Sequence, residues 1–165
     1  MILTSTQLST LKAWIVANRS SAYDQATVNE LNTLASPDFT VFKTNVSMKR
    51  VGDNFVGTEL AGLSSLNHTR LQTVVILSTT GVNPSLSDRR AFFNDIFSGA
   101  GGVNTRAQLL TLWKRLATVG EKLFATGTGS DASPATMSSR IINDDLVYTE
   151  GLITLQNVVD AASAA

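Results

Sequence analysis

At 165 residues, with 43% hydrophobic and 16% charged residues, the chain has the size and composition of one ordered globular domain rather than of a disordered segment. Its formal net charge is zero, and it has no cysteine and a single histidine, His68; disulfides, thiolate nucleophiles and zinc sites built on cysteine or on several histidines are excluded. The most apolar run, Val74 to Leu77, falls far short of the ~20 residues of a spanning helix, and Met1-Ile2-Leu3 does not open a basic-then-apolar leader, so no membrane partner is expected.

Thr4 and Gln7 stand at capping-box spacing, and Leu8, Leu11 and Ile15 follow three and four apart. A first helix is predicted to about Asn18. A second runs from about Asp24 to Leu34 with Val28, Leu31 and Leu34 on one side. It ends at Ser36-Pro37, because a proline bars its predecessor from helical geometry. Between Phe39 and Leu63 the pattern is ambiguous. FTVFKTNVSM has the composition of a strand, yet Phe39, Phe42 and Val46 keep helical spacing, and the reading leans to helix. VGDNFVGTELAG reads as a loop with a turn of helix, and Leu66 to Leu77 as a buried helix.

Ser85 is expected to cap the next helix, with Asp88 at its third position. Leu86, Arg90, Phe93 and Phe97 share one face of it, and Gly99 is placed for a left-handed C-terminal cap. After SGAGGVN, a long helix is predicted from about Thr105 to Ala125, with a seam through Leu109, Leu112, Trp113, Leu116, Leu123 and Phe124. The glycines and proline of LFATGTGSDASPAT stop it. RIINDDLVYT suggests a hairpin turning at Asn143-Asp144-Asp145, and Thr154 caps a last helix. The expected fold class is mainly α: a small helix bundle with an extended C-terminal arm containing a short β-hairpin and a final short helix. The body is 1–125 and the arm 126–165, with a joint over 126–136, a hairpin over 139–149 and a helix over 155–162.

Charge is uneven along this frame. Arg89, Arg90, Arg106, Lys114, Arg115 and Lys122 outnumber Asp88, Asp95 and Glu121 over 81–125, whereas 126–165 holds only Arg140 against Asp131, Asp144, Asp145, Glu150 and Asp160. The basic side chains of the long helix face solvent, nucleic acid or the acidic tail of a neighbouring copy.

Signatures of chemistry are weak. His68 stands near Ser64 and Ser65, but no Gly-x-Ser-x-Gly elbow accompanies it. The carboxylate pairs Asp144-Asp145, Asp88 with Asp95 and Asp53 with Glu59 match no calcium loop. Gly127 and Gly129 follow a helix instead of a strand, and Ser130-Asp131 stands where a phosphate loop needs Lys-Ser/Thr. No catalytic, metal or cofactor-binding residue is assigned, and no enzymatic activity is expected.

NPSLSDRRAFFNDIFSG, TRAQLLTLWKRLAT and EKLFATGTGSDASPATM, spanning Asn83 to Met137, together resemble a family of structural proteins of tailed bacteriophages. NDIFSG and KLFATGTGSDASPAT are the distinctive phrases. ITLQNVVDAAS is similar to the family's final helix, while SSRIINDDLVYTEGL departs from the family as an inserted hairpin. The resemblance implies a virion protein, best placed as a head-to-tail connector adaptor beneath the portal. It implies a ring of copies, about twelve-fold, with the portal protein and a downstream tail protein as partners and room for non-specific contact with packaged DNA. The location implied is the head-tail junction of the virion, after assembly in the host cytoplasm. A tail component, a head-decoration protein or a scaffold-like helper is the alternative, and a small hydrolase the remote one. The expected interaction residues are Arg106, Lys114, Arg115 and Lys122 on the long helix, Gly127, Gly129 and Pro134 in the joint, and Asp144, Asp145 and Tyr148 in the hairpin.

Overall fold

The computed structural model describes residues 1–78, 80–142 and 145–165, with backbone alone for 140–142 and 145–147. It is mainly helical, with short two-stranded sheets. In chain order the elements are α1 (Ser5–Arg19), α2 (Gln25–Leu31), β1 (Thr40–Phe42), α3 (Met48–Asp53), α4 (Gly57–Ala61), α5 (Ser65–Leu77) and α6 (Ser87–Ile96). There follow a 3-10 turn (Ala100–Gly102), α7 (Val103–Trp113), β2 (Lys114–Leu116), α8 (Val119–Phe124), β3 (Ala125–Thr126), β4 (Thr136–Met137), β5 (Ser139–Ile142), β6 (Asp145–Tyr148) and α9 (Leu155–Ala162). Among the described residues no helix is long and apolar enough to cross a membrane. The chain forms two compact units, Met1–Val41 with Leu116–Ala165, and Phe42–Arg115. The chain passes from one to the other within β1 and again within β2.

The first unit is built from both ends of the chain. Capping boxes start three of its helices: Thr4 with Gln7 at α1, Thr118 with Glu121 at α8, and Thr154 with Asn157 at α9. Each satisfies orphan amides that a helix start leaves bare. Leu11 and Ile15 of α1 pack with Val28 and Leu31 of α2, Phe124 of α8, and Ile153, Val158 and Ala161 at and before α9. Polar ties cross the same interface. Asn32 Nδ2 donates to Ile153 O at 2.9 Å while its Oδ1 accepts from Ile153 N at 2.8 Å, and Asn157 Nδ2 donates to Met1 O at 3.1 Å. A smaller cluster holds Val41, Ala117, Ala135 and Met137.

From Ala125 onward the chain contains a β3–β4 pair that closes the joint, with Ala125 opposite Met137. It also contains an antiparallel β5–β6 hairpin, with Ser139 opposite Tyr148, and then α9. The hairpin's expected turn at Asn143-Asp144 lies outside the described residues. The segment packs inside the first unit, which joins Met1–Val41 with Leu116–Ala165. Burial is the reason: Met137, Ile153, Val158 and Ala161 are almost wholly covered. Glu121, only 2% exposed, reinforces the docking by accepting a hydrogen bond from Gly151 N at 2.8 Å.

The second unit closes on aromatic side chains. Phe93 meets Trp113 edge-on at 5.6 Å between centroids and Phe92 at 5.7 Å, and Phe55 lies 5.2 Å from Phe97. Around them pack Phe42, Val51, Leu71, Ile96 and Leu109. Glu59, from α4, accepts from Thr105 N at 2.7 Å and Asn104 N at 3.0 Å, so its carboxylate covers bare amides in the first turn of α7.

Five expectations are corrected. The helix favoured over FTVFKTNVSM is instead a strand over Thr40–Phe42, all three buried; β-branched residues buried on both faces suit a strand, and helix begins only after the Ser47 cap. The long helix Thr105 to Ala125 is two helices with a strand between. Lys114 has φ −104° and ψ 158°, and the flanking bonds Lys43 N to Trp113 O (2.7 Å) and Ala117 N to Phe39 O (2.9 Å) take backbone groups that helical bonding would use. Ser85 does not cap α6; its hydroxyl donates to Asn83 Oδ1 at 2.6 Å and Leu86 holds the N-cap position. Nor is Gly99 the C-cap, which is Phe97, although Gly99 does have a positive φ of 69°. The helix of Leu66 to Leu77 forms as α5 but is not buried: of its residues only Leu71 is.

Candidate functional site

The residues expected to interact do not form one basic stripe. Arg106, on α7, donates through Nη1 to the carbonyls of Phe97 and Gly99, which locks the corner between α6 and α7. Lys114 and Arg115 lie on β2 and both make further contacts. Arg115 is one of two cations, with Arg50, whose repulsion follows burial as the cause of a lowered Lys43 pKa. Lys122 sits on α8 with its ammonium 5.5 Å from the centre of the Phe39 ring. The seam had assigned these four to one helix, and the break at β2 distributes them over three elements.

The joint residues serve conformation. Gly129 has φ +66°, a Cβ there would run into the Phe39 ring, and its carbonyl accepts from Thr40 N at 2.7 Å. Glycine is the residue that tolerates both demands. Gly127 has φ +125°, and Pro134 is buried. Tyr148 packs partly buried against the Val41–Met137 cluster. Asp144 lies outside the described residues; Asp145 opens β6 opposite Ile142.

The expected carboxylate pairs have separate partners. Asp53 pairs with Lys49 at 2.7 Å, Asp95 approaches Arg70 at 4.0 Å, and Asp88 bonds the amide of Arg89, while Glu59 caps α7. Ser64 is the N-cap of α5, bonded to Asn67 N. Among the described residues no three of His, Asp and Glu come together as a metal site would require.

Two surfaces of the second unit stand out instead. One is the outer face of α5. Leu66, Val75, Ile76 and Leu77 are exposed, the last two at 70% and 76%. Leu66 and Leu77 are about three turns apart and so share a side of the helix. Beside them Phe55, Leu60, His68, Leu71, Val75 and Ile76 line a groove of about 530 Å³. Arg70 and Thr73 lie between Leu66 and Leu77 on that side, so the exposed apolar surface gathers at Val75–Leu77 and the groove; exposed apolar surface of this kind marks interaction sites.

The other is a pocket of about 490 Å³ at the junction of α6 and α7, lined by Phe42, Arg90, Asn94, Ser98, Arg106 and Trp113, with Leu110 on its wall. Arg90 donates through Nη1 to Pro84 O (2.6 Å) and Ser85 O (2.9 Å), and its guanidinium carbon stands 3.9 Å from the centre of the Phe42 ring. Burial pushes its pKa down, yet an arginine keeps its charge at any ordinary pH. Trp113 is 3% exposed, and its Nε1 is buried without a hydrogen-bond partner. Leaving such a donor unpaired costs about 1–3 kcal/mol.

Compared with known protein families, with curated proteins and with solved structures, the chain matches none. Neither surface stood out in the sequence, but both left signals there. Arg90 was the one charge on the apolar face with Leu86, Phe93 and Phe97, the mark of a guanidinium held against a core. The run Val74 to Leu77 is apolar all the way round its helical turn, so one unit's core cannot cover it all.

Proposed function

We propose that this chain is a structural subunit of a phage virion, a head-to-tail connector adaptor whose copies form a ring below the portal and join capsid to tail. On this reading it performs no reaction, and its partners are further copies of itself, the portal protein and a tail protein. The observation that supports an assembly role is the apolar outer face of α5 with its groove. In a ring, each subunit presents two different patches to its two neighbours, and an apolar patch exposed on the single chain is covered at every joint. The resemblance of Asn83 to Met137 supplies the phage context, and it falls on α6, α7, α8 and the strands that follow.

The test uses Ile76→Asp together with Leu77→Asp. Both side chains are exposed, so folding stability should move by no more than about 0.5 kcal/mol. Mass determination by light scattering, with and without isolated portal, should find rings for the native chain and monomers for the double variant. A native chain that stays monomeric with portal, combined with electron microscopy placing it away from the head-tail junction, overturns the adaptor reading. Copies on the capsid surface, or absence from mature particles, would instead select a decoration protein or an assembly helper.

A further inference from the structure

We infer that the pocket between α6 and α7 binds a carboxylate carried on an apolar or aromatic body. This goes beyond the assembly role and does not depend on it. Four features of the pocket lead there.

The first is a surplus of positive charge. Arg90 and Arg106 both line the pocket, no carboxylate lines it, and neither arginine has an ion-pair partner among the described residues. Asp88, outside the pocket, acts on Arg90 electrostatically but forms no ion pair with it. The second is preorganisation. Each guanidinium is anchored to two backbone carbonyls through Nη1 alone, so its plane is fixed while Nε and Nη2 keep their donors. A planar fork held in this way is suited to the two oxygens of a carboxylate. The third is the Trp113 indole N–H, a buried donor without a partner on a residue of the same wall. Buried donors in folded proteins are almost always satisfied, and an orphan calls for an acceptor that the protein itself does not supply.

The fourth feature decides the class of anion. Phe42, Leu110 and the Trp113 ring form apolar wall beside the donors. Phosphate would meet the two guanidinium charges but bring nothing to set against that wall. An aromatic or branched aliphatic acid fills both halves, and a volume of about 490 Å³ suits a ligand of that size. Asn94 and Ser98, both exposed at the rim, add neutral donors without selecting against it.

The chain has two tryptophans, Trp14 and Trp113, so proton–nitrogen correlation spectra of the full-length protein contain two indole signals, and a Trp14→Phe variant assigns them. Titration with sodium benzoate should move the Trp113 indole signal saturably and leave that of Trp14 in place. Benzamide, of the same shape but neutral, should leave both unmoved, and inorganic phosphate should bind more weakly than benzoate. Arg90→Lys keeps the charge and loses the fork, and should weaken benzoate by about tenfold. Arg106→Gln should do at least as much, and Arg90→Lys remains informative if Arg106→Gln loosens the corner. N-acetylphenylalanine, which mimics a chain terminus, tells the source: tighter binding than benzoate assigns the site to a peptide end, weaker binding to a free organic acid. A Trp113 signal indifferent to benzoate, an equal response to benzamide, phosphate binding as tightly as benzoate, or an unweakened Arg90→Lys would each overturn the inference.

Discussion

The two units close their cores by different means. Phe42–Arg115 is one continuous stretch whose core is a cluster of aromatic rings contributed by α6, α7 and the residues around them. The other unit is assembled from distant stretches of the chain: α1 and α2 supply one side of the core, and α8, Ile153 and α9 the other. Local aromatic packing needs little loop closure, whereas joining two chain ends carries the entropy of closing a long loop before any contact rewards it. The first unit answers with polar ties that work only in register, such as the reciprocal pair between Asn32 and Ile153 and the Lys12 ammonium on Ala164 O at 2.5 Å. The first unit thus depends on residues near both chain ends, which the second does not include.

Deleting residues 127–165 should therefore have the largest effect, and an unequal one. It removes Met137, Ile153, Val158 and Ala161 from the first unit and touches none of the second unit's core. A body over 1–125 standing apart from its arm would stay folded after this cut; the packing of the C-terminal segment into the first unit's core leads to the opposite expectation. Each unit holds one tryptophan, so the indole signals report separately. Trp14 should lose its native chemical shift and its exchange protection, and Trp113 should keep both. A truncated chain with native Trp14 would show that α1 and α2 need no partner from the C-terminus.

Phe93→Ala probes the opposite side of the comparison. Phe93 is 1% exposed and packs against Phe55, Phe92 and Trp113, so the cavity should cost about 3–5 kcal/mol. Denaturant unfolding should locate that loss in the Trp113 signal. If Trp14 and Trp113 unfold together in both this variant and the native chain, the units are one cooperative block and the contrast is structural only.

What the sequence disclosed follows from how local each determinant is. The Thr4 and Thr154 caps, the stripe of α1, the hairpin strands and the limits of α9 were all legible, because each is set by neighbours within about one turn. The break after Trp113 was not. Lys114-Arg115-Leu116 contains neither glycine nor proline, and the strand exists because residues 39–43 supply its partner. One local signal was available and went unread: Thr118-Val-Gly-Glu121 has capping-box spacing, which announces a new helix where a continuous one was expected. The two surfaces were harder still. Periodicity told that Leu66 to Leu77 was apolar and helical, but which of its sides the core would reach depends on Phe55 and Leu60, from another element. Arg90 and Trp113 were each visible, and only folding brought them to the same pocket.

Glu59→Gln sharpens the comparison at its smallest scale, since this carboxylate joins α4 to the start of α7 within the local unit. Burial raises its pKa, but hydrogen bonds from Thr105 and Asn104 outweigh that and set it below the ordinary 4.5. A carboxyl whose folded pKa lies below its unfolded one binds fewer protons when folded, so stability rises with pH through this range. Its contribution is complete above the ordinary value and fades as pH falls through the lowered one. The amide variant keeps a hydrogen-bond acceptor and has no charge to titrate. Thermal melts at neutral pH should place the native chain above Glu59→Gln by a small margin, and that margin should shrink to nothing on acidification below the carboxylate range. The Trp113 signal should register the difference and Trp14 should not. A margin independent of pH would mean that the cap acts through geometry alone, and that charge at the first turn of α7 adds nothing to the unit.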